Sequence, residues 1–421
     1  MAAASLGLIA VLLLQAEATD VETAVLERAE SRPERVRYGL GLRAELRTYG
    51  GPTTDVEVDP SGAVRVPFRN ARLTLAYDPR IFIIAGPTPQ HVSYLHRGRL
   101  GVDGQPGPRW RLFLNVEGGY GEYDFNPLST VLPKAPPSGT TDQPSPSGPT
   151  PSVPVPTTPI PSVSSLPDRR LLRVVDVSAT AGMDYLLAPR LSWLLSGGYL
   201  VSGGLDAAAQ QSLPLQQGPV VSTGARWNLS PTDTLQLLLA GSDTRFSSGP
   251  EAAIVNLTTT WSHALSRTWQ ADLTGGAGAF HSTGPGRPVN NSVLPVGSAV
   301  VTHTWLRKTG NVTNTLQLGA SPQADAINGS VYERLNAALI SSVPLGRWVW
   351  LEASGGASMT VDNPQRDVRA EARLSFVVSP EVSVSGGGRV AWLLGSDLLG
   401  SSGFGWAAFL VVSLNPLRTS I

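Results

Sequence analysis

No cysteine occurs in the 421 residues, and charged residues make up only 15% of them. The first absence removes disulfides, thiolate nucleophiles and thiolate-ligated metals together. The second sets the chain apart from ordinary soluble domains, which carry about 25% charged residues. Mean hydropathy is nonetheless +0.01, so Ser, Thr, Gly, Asn and Gln supply the polarity that charge does not. Neither sign is in excess, with 32 basic and 32 acidic residues. A nucleic-acid partner, which needs a basic face, is therefore not expected. Long apolar runs are missing too. The run Leu6 to Leu14 is too short to span a bilayer as a helix, which takes about 18 apolar residues, and nothing later resembles a spanning helix. If the chain enters a membrane, it does so as strands.

What is present begins with that N-terminal run, which is followed by Ala16-Glu17-Ala18. This is the layout of a secretory signal peptide over residues 1–18. Thr19-Asp20-Val21-Glu22 has capping-box spacing, and Val21 to Glu30 carries aliphatic residues at helical intervals, so a short helix is expected in a periplasmic segment, 19–34.

From Arg35 the period changes to two. Val36, Tyr38, Leu40, Leu42, Ala44 and Leu46 alternate with Arg37, Gly39, Gly41, Arg43, Glu45 and Arg47. The same alternation recurs at 72–77, 221–229, 235–240 and 368–376, in runs of about ten residues, the length of a tilted membrane-spanning strand. Short connections are expected at Asp78-Pro79-Arg80, Val102 to Pro108, Ala188 to Arg190, Ser230 to Asp233, Leu265 to Arg267, Arg307 to Gly310, Val343 to Arg347 and Ser379 to Glu381. Between them fall longer ones: Gly50 to Pro67, Gly86 to Gln90, Asn126 to Asp168, Gly203 to Gly218, Ser247 to Pro250, Ser282 to Leu294, Pro322 to Asn328, Asp362 to Arg366 and Gly395 to Gly403. Tight turns taking turns with long loops is the pattern of an outer-membrane barrel.

The fold class expected is thus all-β: a transmembrane antiparallel β-barrel over 35–415 of about 18 strands, with 16 the alternative, short periplasmic turns and longer external loops. Its place is the bacterial outer membrane, with outer-membrane lipid and the barrel-assembly machinery as partners. Residues 126–168, rich in Pro, Ser and Thr, cannot form a ladder and are expected as an external loop.

Aromatic residues support that layout, because barrels place Trp and Tyr where the wall meets the headgroups. Tyr77, Trp110, Tyr185, Trp193, Trp227, Trp269, Trp305 and Trp348 flank the proposed short turns, while Trp392 and Trp406 flank the last long loop. On the opposite parity the alternation turns Arg37, Arg43, Glu45, Arg47, Arg72, Asp176, Arg226, Glu352, Arg369, Glu371, Arg373 and Arg389 toward the lumen. These are the candidate pore-lining residues, and the arginines of the first and last strands would stand side by side once the barrel closes. Five scattered histidines and the lack of any nucleophile, base and orienter set leave no candidate catalytic residue, metal site or cofactor.

Three stretches, Leu73 to Arg80, Leu95 to Leu100 and Glu117 to Phe125, resemble the N-terminal third of outer-membrane β-barrel porins of myxobacteria and related Deltaproteobacteria that are associated with polysaccharide export. In that group a strand ends in Tyr-x-Pro, a later one carries His-x-Gly, and a third ends in a Gly-Tyr-Gly-x-x-Asp-Phe-like sequence. The resemblance implies a non-enzymatic porin acting as the outer conduit for a surface polysaccharide, beside a periplasmic polysaccharide-export protein. The competing expectation is a general diffusion or uptake porin for small hydrophilic solutes. A closed barrel has a direct signature: unboiled protein in dodecyl sulfate should run faster than boiled protein, and identical mobilities would contradict the fold class.

Overall fold

The computed structural model describes residues 36–47, 53–85, 91–124, 171–284, 287–307, 310–324, 331–361, 366–379, 382–394 and 403–414. The expected signal peptide 1–18, the helix at 21–30 and the Pro-rich segment 126–168 lie outside them. Nineteen strand segments follow one another. They are β1 Val36–Arg47, β2 Thr53–Pro67, β3 Ala71–Tyr77, β4 Arg80–Ala85, β5 His91–Gly107, β6 Trp110–Asp124, β7 Leu171–Ala188, β8 Leu191–Gly204, β9 Gln216–Asn228 and β10 Asp233–Phe246. After these come β11 Glu251–Ala264, β12 Trp269–Gly284, β13 Arg287–Arg307, β14 Gly310–Ala324, β15 Val331–Pro344, β16 Val349–Thr360, β17 Arg366–Ser379, β18 Val382–Leu394 and β19 Gly403–Leu414. Among the described residues one helix, α1 at Ala207–Ser212, sits between β8 and β9.

Each strand pairs antiparallel with its neighbour, and β1 closes on β19 from Leu40↔Leu414 to Arg47↔Ala407. Closure matters because lipid offers no partner to an open strand edge. β3 and β4 share one position between β2 and β5, so the barrel has 18 staves. Their register does not shift across the break: Tyr77 pairs with Gly98 and Arg80 with Leu95 on one side, Gly62 with Tyr77 and Val58 with Ile81 on the other. The ladder to β2 lapses only at Asp59–Ser61, opposite Asp78-Pro79-Arg80. Pro60 and Pro79, neither with an N–H to donate, thus fall at one level of the wall. On the other side the chain stays attached, the Asp78 N–H donating to the Arg97 carbonyl at 2.9 Å.

This corrects two expectations. Asp78-Pro79-Arg80 is no turn but a gap within one stave, and 53–67 is no loop but the strand β2. The short turn that does occur there is at 68–70, closed by the Phe68 N–H donating to the Ala71 carbonyl at 2.7 Å. The errors cancel in the strand count. Residues 287–294, expected in a loop, also continue as strand, and the Gly203 to Gly218 connection contains α1, whose cap Asp206 accepts from the Ala209 N–H at 2.7 Å.

Strands run from 12 residues in β1 to 21 in β13, apart from the two halves of the interrupted stave. Most are longer than the 9–11 or so that a bilayer requires. The excess lies at the long-loop end, where the outward face turns charged, with Arg173–Glu122 at 3.5 Å and Arg245–Glu251 at 3.6 Å. Below that level the outward face is apolar: Leu237, Leu239, Val255, Leu257, Leu316 and Leu339 are all exposed. Among the described residues nothing covers these side chains.

Adjacent residues test that assignment because they point to opposite faces. Leu257→Arg, on the outward face of β11, should lower unfolding stability in lipid vesicles by about 2–4 kcal/mol, whereas Thr258→Arg should fold with near-normal stability. Equal effects would contradict the facing.

Candidate functional site

The inward face follows from the register. β2, the β3/β4 stave, β5, β6 and β7 carry most of its described charge, joined by β15 to β18 beyond the β1–β19 seam. On β2 the inward residues include Glu57, Asp59 and Arg65; on β5 they include Arg97, Arg99 and Asp103. Cross-strand neighbours pair where the ladder sets them opposite, as Arg99 Nε does with Glu117 Oε1 at 2.7 Å. Arg111 bonds Asp103 across the 108–109 turn, its Nη2 donating to Oδ2 at 2.6 Å.

Other pairs reach over an intervening strand, which is possible because a serine occupies the position between. Arg226 on β9 approaches Asp184 on β7 at 3.8 Å over Ser192. Arg334 on β15 reaches Asp367 on β17 at 3.2 Å, and donates on the way to the Ser358 hydroxyl, which itself bonds Asp367. Arg369 closes on the same carboxylate at 3.1 Å. At the proline gap, Arg80 donates to Glu57 at 3.2 Å and stands 4.0 Å from Asp59. Arg80, Arg226, Arg369 and Arg389 are all buried. Cations so enclosed need nearby carboxylates to offset lost hydration. These four charges therefore lie against the wall rather than standing out into the bore, whereas the inward Arg72 is exposed.

Of the expected pore-lining residues, Arg72, Asp176, Arg226, Glu352, Arg369, Glu371, Arg373 and Arg389 take inward register positions. The side chains of Arg37, Arg43, Glu45 and Arg47 lie outside the described residues, although the backbone register sets Arg43 opposite Glu57. That pairing alters the expected basic stripe: β2 inserts Glu57 and Asp59 between the first and third staves. Sequence reasoning missed them by treating 53–67 as a loop, yet the alternation of Val56, Val58, Val64 and Val66 with Glu57, Asp59 and Arg65 was there to be found.

The wall from β10 to β14 is of a different kind. Among the described residues Asp272 is the one charged side chain on its inward face. Otherwise it presents hydroxyls and amides, including Gln236, Asn256, Thr258, Thr260, Thr274, Ser298, Thr302 and Gln317. Some pair across strands, Thr260 with Thr274 at 2.9 Å and Thr302 with Thr315 at 3.4 Å.

Two segments lean inward at the long-loop end. Helix α1 packs on β7 and β8 with Ala209 and Leu213 buried. A Cβ on Gly204, an inward position of β8, would collide with the Ala209 backbone, so only glycine admits the helix there. Further round the barrel, β13 and β14 stop pairing at Gly297↔Ala320 while β14 and β15 continue to Ala324↔Val331. The freed β14–β15 end folds inward: Val331 packs with Phe246, Ala252, Ile254 and Phe280, inward residues of β10 to β12, and Pro322 lies over Gly278. Those apolar side chains would otherwise face water inside the bore.

On the outward face, Trp110, Tyr185, Trp193, Trp227, Trp269 and Trp305 lie near the short-turn end, and Trp348 is in the 345–348 turn itself. Trp110 packs on Tyr185 with ring centroids 4.4 Å apart, and Trp269 stacks on His303 at 4.3 Å. Trp261, not among the expected set, joins this rim beside His263, whose Nδ1 is 2.6 Å from Asp233. Tyr77 does not: with no turn at 78–80 it sits in the middle of its stave, its hydroxyl 2.7 Å from His96 Nδ1. Trp392 and Trp406 take the opposite rim, where Tyr94, Tyr120 and Tyr199 are also exposed.

Residues 14–420 match the model of the EpsX exopolysaccharide export family. Among curated proteins, none matches the sequence. Among solved structures the chain is similar to the outer membrane protein OpdK of Pseudomonas aeruginosa, at 10% identity over 91% of this chain and 98% of that one, with a TM-score of 0.44. It is similar also to OpdO of the same organism, at 11% identity over 90% and 97% with a TM-score of 0.46. A bacterial polysaccharide outer membrane secretin matches at 10% identity over 90% and 98%, with a TM-score of 0.34.

The inward fold of the β14–β15 end can be trapped, since a cysteine-free chain gives no competing thiols. Gly278→Cys with Pro322→Cys should form an intramolecular disulfide under mild oxidant, the Asn256 amide rotating aside. Free thiols after oxidation of folded barrel would place that end elsewhere.

Proposed function

The chain belongs to the EpsX exopolysaccharide export family, and on that premise we propose that it is a non-enzymatic outer-membrane conduit through which a surface polysaccharide leaves the cell. The family match over residues 14–420 carries the proposal. The geometry supports it. Eighteen staves enclose an aqueous bore, and the bore runs from the short-turn end, where a periplasmic export partner would deliver the glycan, to the long-loop end outside. The lumenal residues named above would line the path, while the rim aromatics would hold the barrel at the headgroup levels of the bilayer.

The lumen also suits a passive role. Several of its arginines, Arg80, Arg99, Arg111, Arg226, Arg334 and Arg369, stand within 4.0 Å of a lumenal carboxylate, and many of its other polar groups are hydroxyls and amides that exchange hydrogen bonds readily. Transport of this kind needs contacts weak enough to release the cargo at each step, and chemistry is left to the proteins that make the polymer.

Deleting the gene should abolish surface polysaccharide while leaving small-solute permeability nearly unchanged, and the intact gene in trans should restore the polymer. Normal surface polysaccharide with reduced solute uptake would instead favour a general diffusion porin. The partner is tested separately: crosslinking in intact cells should join the barrel to a periplasmic protein of polysaccharide export.

A further inference from the structure

The lumen is divided into two walls of unlike chemistry, and this division points to which glycan passes and where. In the charged wall four cations, Arg80, Arg226, Arg369 and Arg389, are under 9% exposed, and the first three stand within 4.0 Å of a carboxylate. A uronic acid or phosphate on a passing polymer would have to displace a carboxylate already in place, at the cost of leaving a buried charge unpaired. On the β10–β14 wall there is no cation among the described inward residues. Gly276 and Ser298 are open to the bore, and the threonine pair Thr260–Thr274 keeps hydrogen-bonding capacity in reserve. Each hydroxyl has one proton and two lone pairs, so their mutual bond at 2.9 Å leaves one proton and several lone pairs for a solute. The Asn256 Oδ1, buried against Gly278, has no hydrogen-bond partner among the described residues.

We propose that the inward face of β10–β14 is the track along which the exported glycan slides, and that this glycan is predominantly uncharged. The inference rests on the conduit function proposed above. A neutral sugar trades hydroxyl contacts with this wall one at a time, each with a small net energy. An anionic sugar finds no cation among the described inward residues of this wall, and on the other the buried Arg80, Arg226 and Arg369 already stand beside carboxylates. Both walls are needed, because the paired charges brace one side of the bore while the neutral side carries the contact.

Single barrels in planar bilayers test this with two probes, maltoheptaose as the neutral sugar and heptameric oligogalacturonate as the anionic one. Maltoheptaose should interrupt the current. Replacing Thr258, Thr260, Thr274 and Thr302 with Val should shorten the interruptions at least about fivefold, since each lost hydrogen bond contributes modestly, and replacing them with Ser should preserve the wild-type times. Neutralising the braced pair, Arg99→Gln with Glu117→Gln, should leave the times within about twofold, the expected scatter for a half-exposed pair. Retarded gel mobility before boiling would reveal a Val variant that had not folded, and the Ser variant then decides: loss of interruptions there contradicts the track. So would unchanged times in a folded Val variant, no interruption by either probe, or longer interruptions by oligogalacturonate. The conduit function fails by a different result, normal surface polysaccharide in the deletion strain.

Discussion

A backbone N–H or C=O facing hydrocarbon has no partner there, and that single constraint shapes the whole chain. Strands must pair on both edges, so the first has to meet the last, as β1 meets β19 through Leu40↔Leu414 and the pairs beyond it. Once the sheet is closed, every residue points either to lipid or to the bore. Charge is then affordable on only one of the two faces, and the low charged fraction follows from it. Even the exceptions obey. Pro60 and Pro79 would each break a ladder bond, but they lie at the same level between the same two staves, so a single lapse accommodates both. Buried beside that lapse, Arg80 bonds Glu57 and approaches Asp59.

Inside the barrel the same logic separates two tasks. Glycine and serine at positions such as Ser192 and Ser358 let long arginine side chains arch across a strand to carboxylates two staves away, which stiffens that side. Phe113 and Phe409 also turn inward, each lying over a glycine, Gly182 and Gly387, where a Cβ would strike the ring. The β10–β14 side lacks such arches. Its short hydroxyls and amides leave space, and the inward lean of α1 and of the β14–β15 end shapes the mouth above it.

Much of this was legible in the sequence because alternation is a local property. The strands at 36–47, 221–229, 235–240 and 368–376 announce themselves by parity alone, and the turns at 189–190, 230–233 and 265–267 by their Pro, Ser and charged residues. Where prolines interrupted the pattern, local signals misled. In β2, Pro60, Gly62 and Pro67 masked a sound alternation, and Asp78-Pro79-Arg80 has turn composition without being a turn. Which carboxylate each arginine meets, and the departure of β14–β15 from the wall, depend on residues distant in sequence. Val331 joins Phe246 and Phe280 only after closure, so no window of the sequence contains the reason. The heterogeneity of the lumen was likewise hidden, since the neutral wall is a sum over five strands, each of them unremarkable alone.

The central claim, that a closed barrel with a polar bore passes polymeric sugar, is tested most directly by reconstitution. Purified barrel in lipid vesicles loaded with a fluorescently labelled neutral glycan should release it over time, while vesicles carrying heat-unfolded protein retain it. Vesicles that leak small ions through the folded barrel but keep every glycan longer than a few sugars would contradict the account.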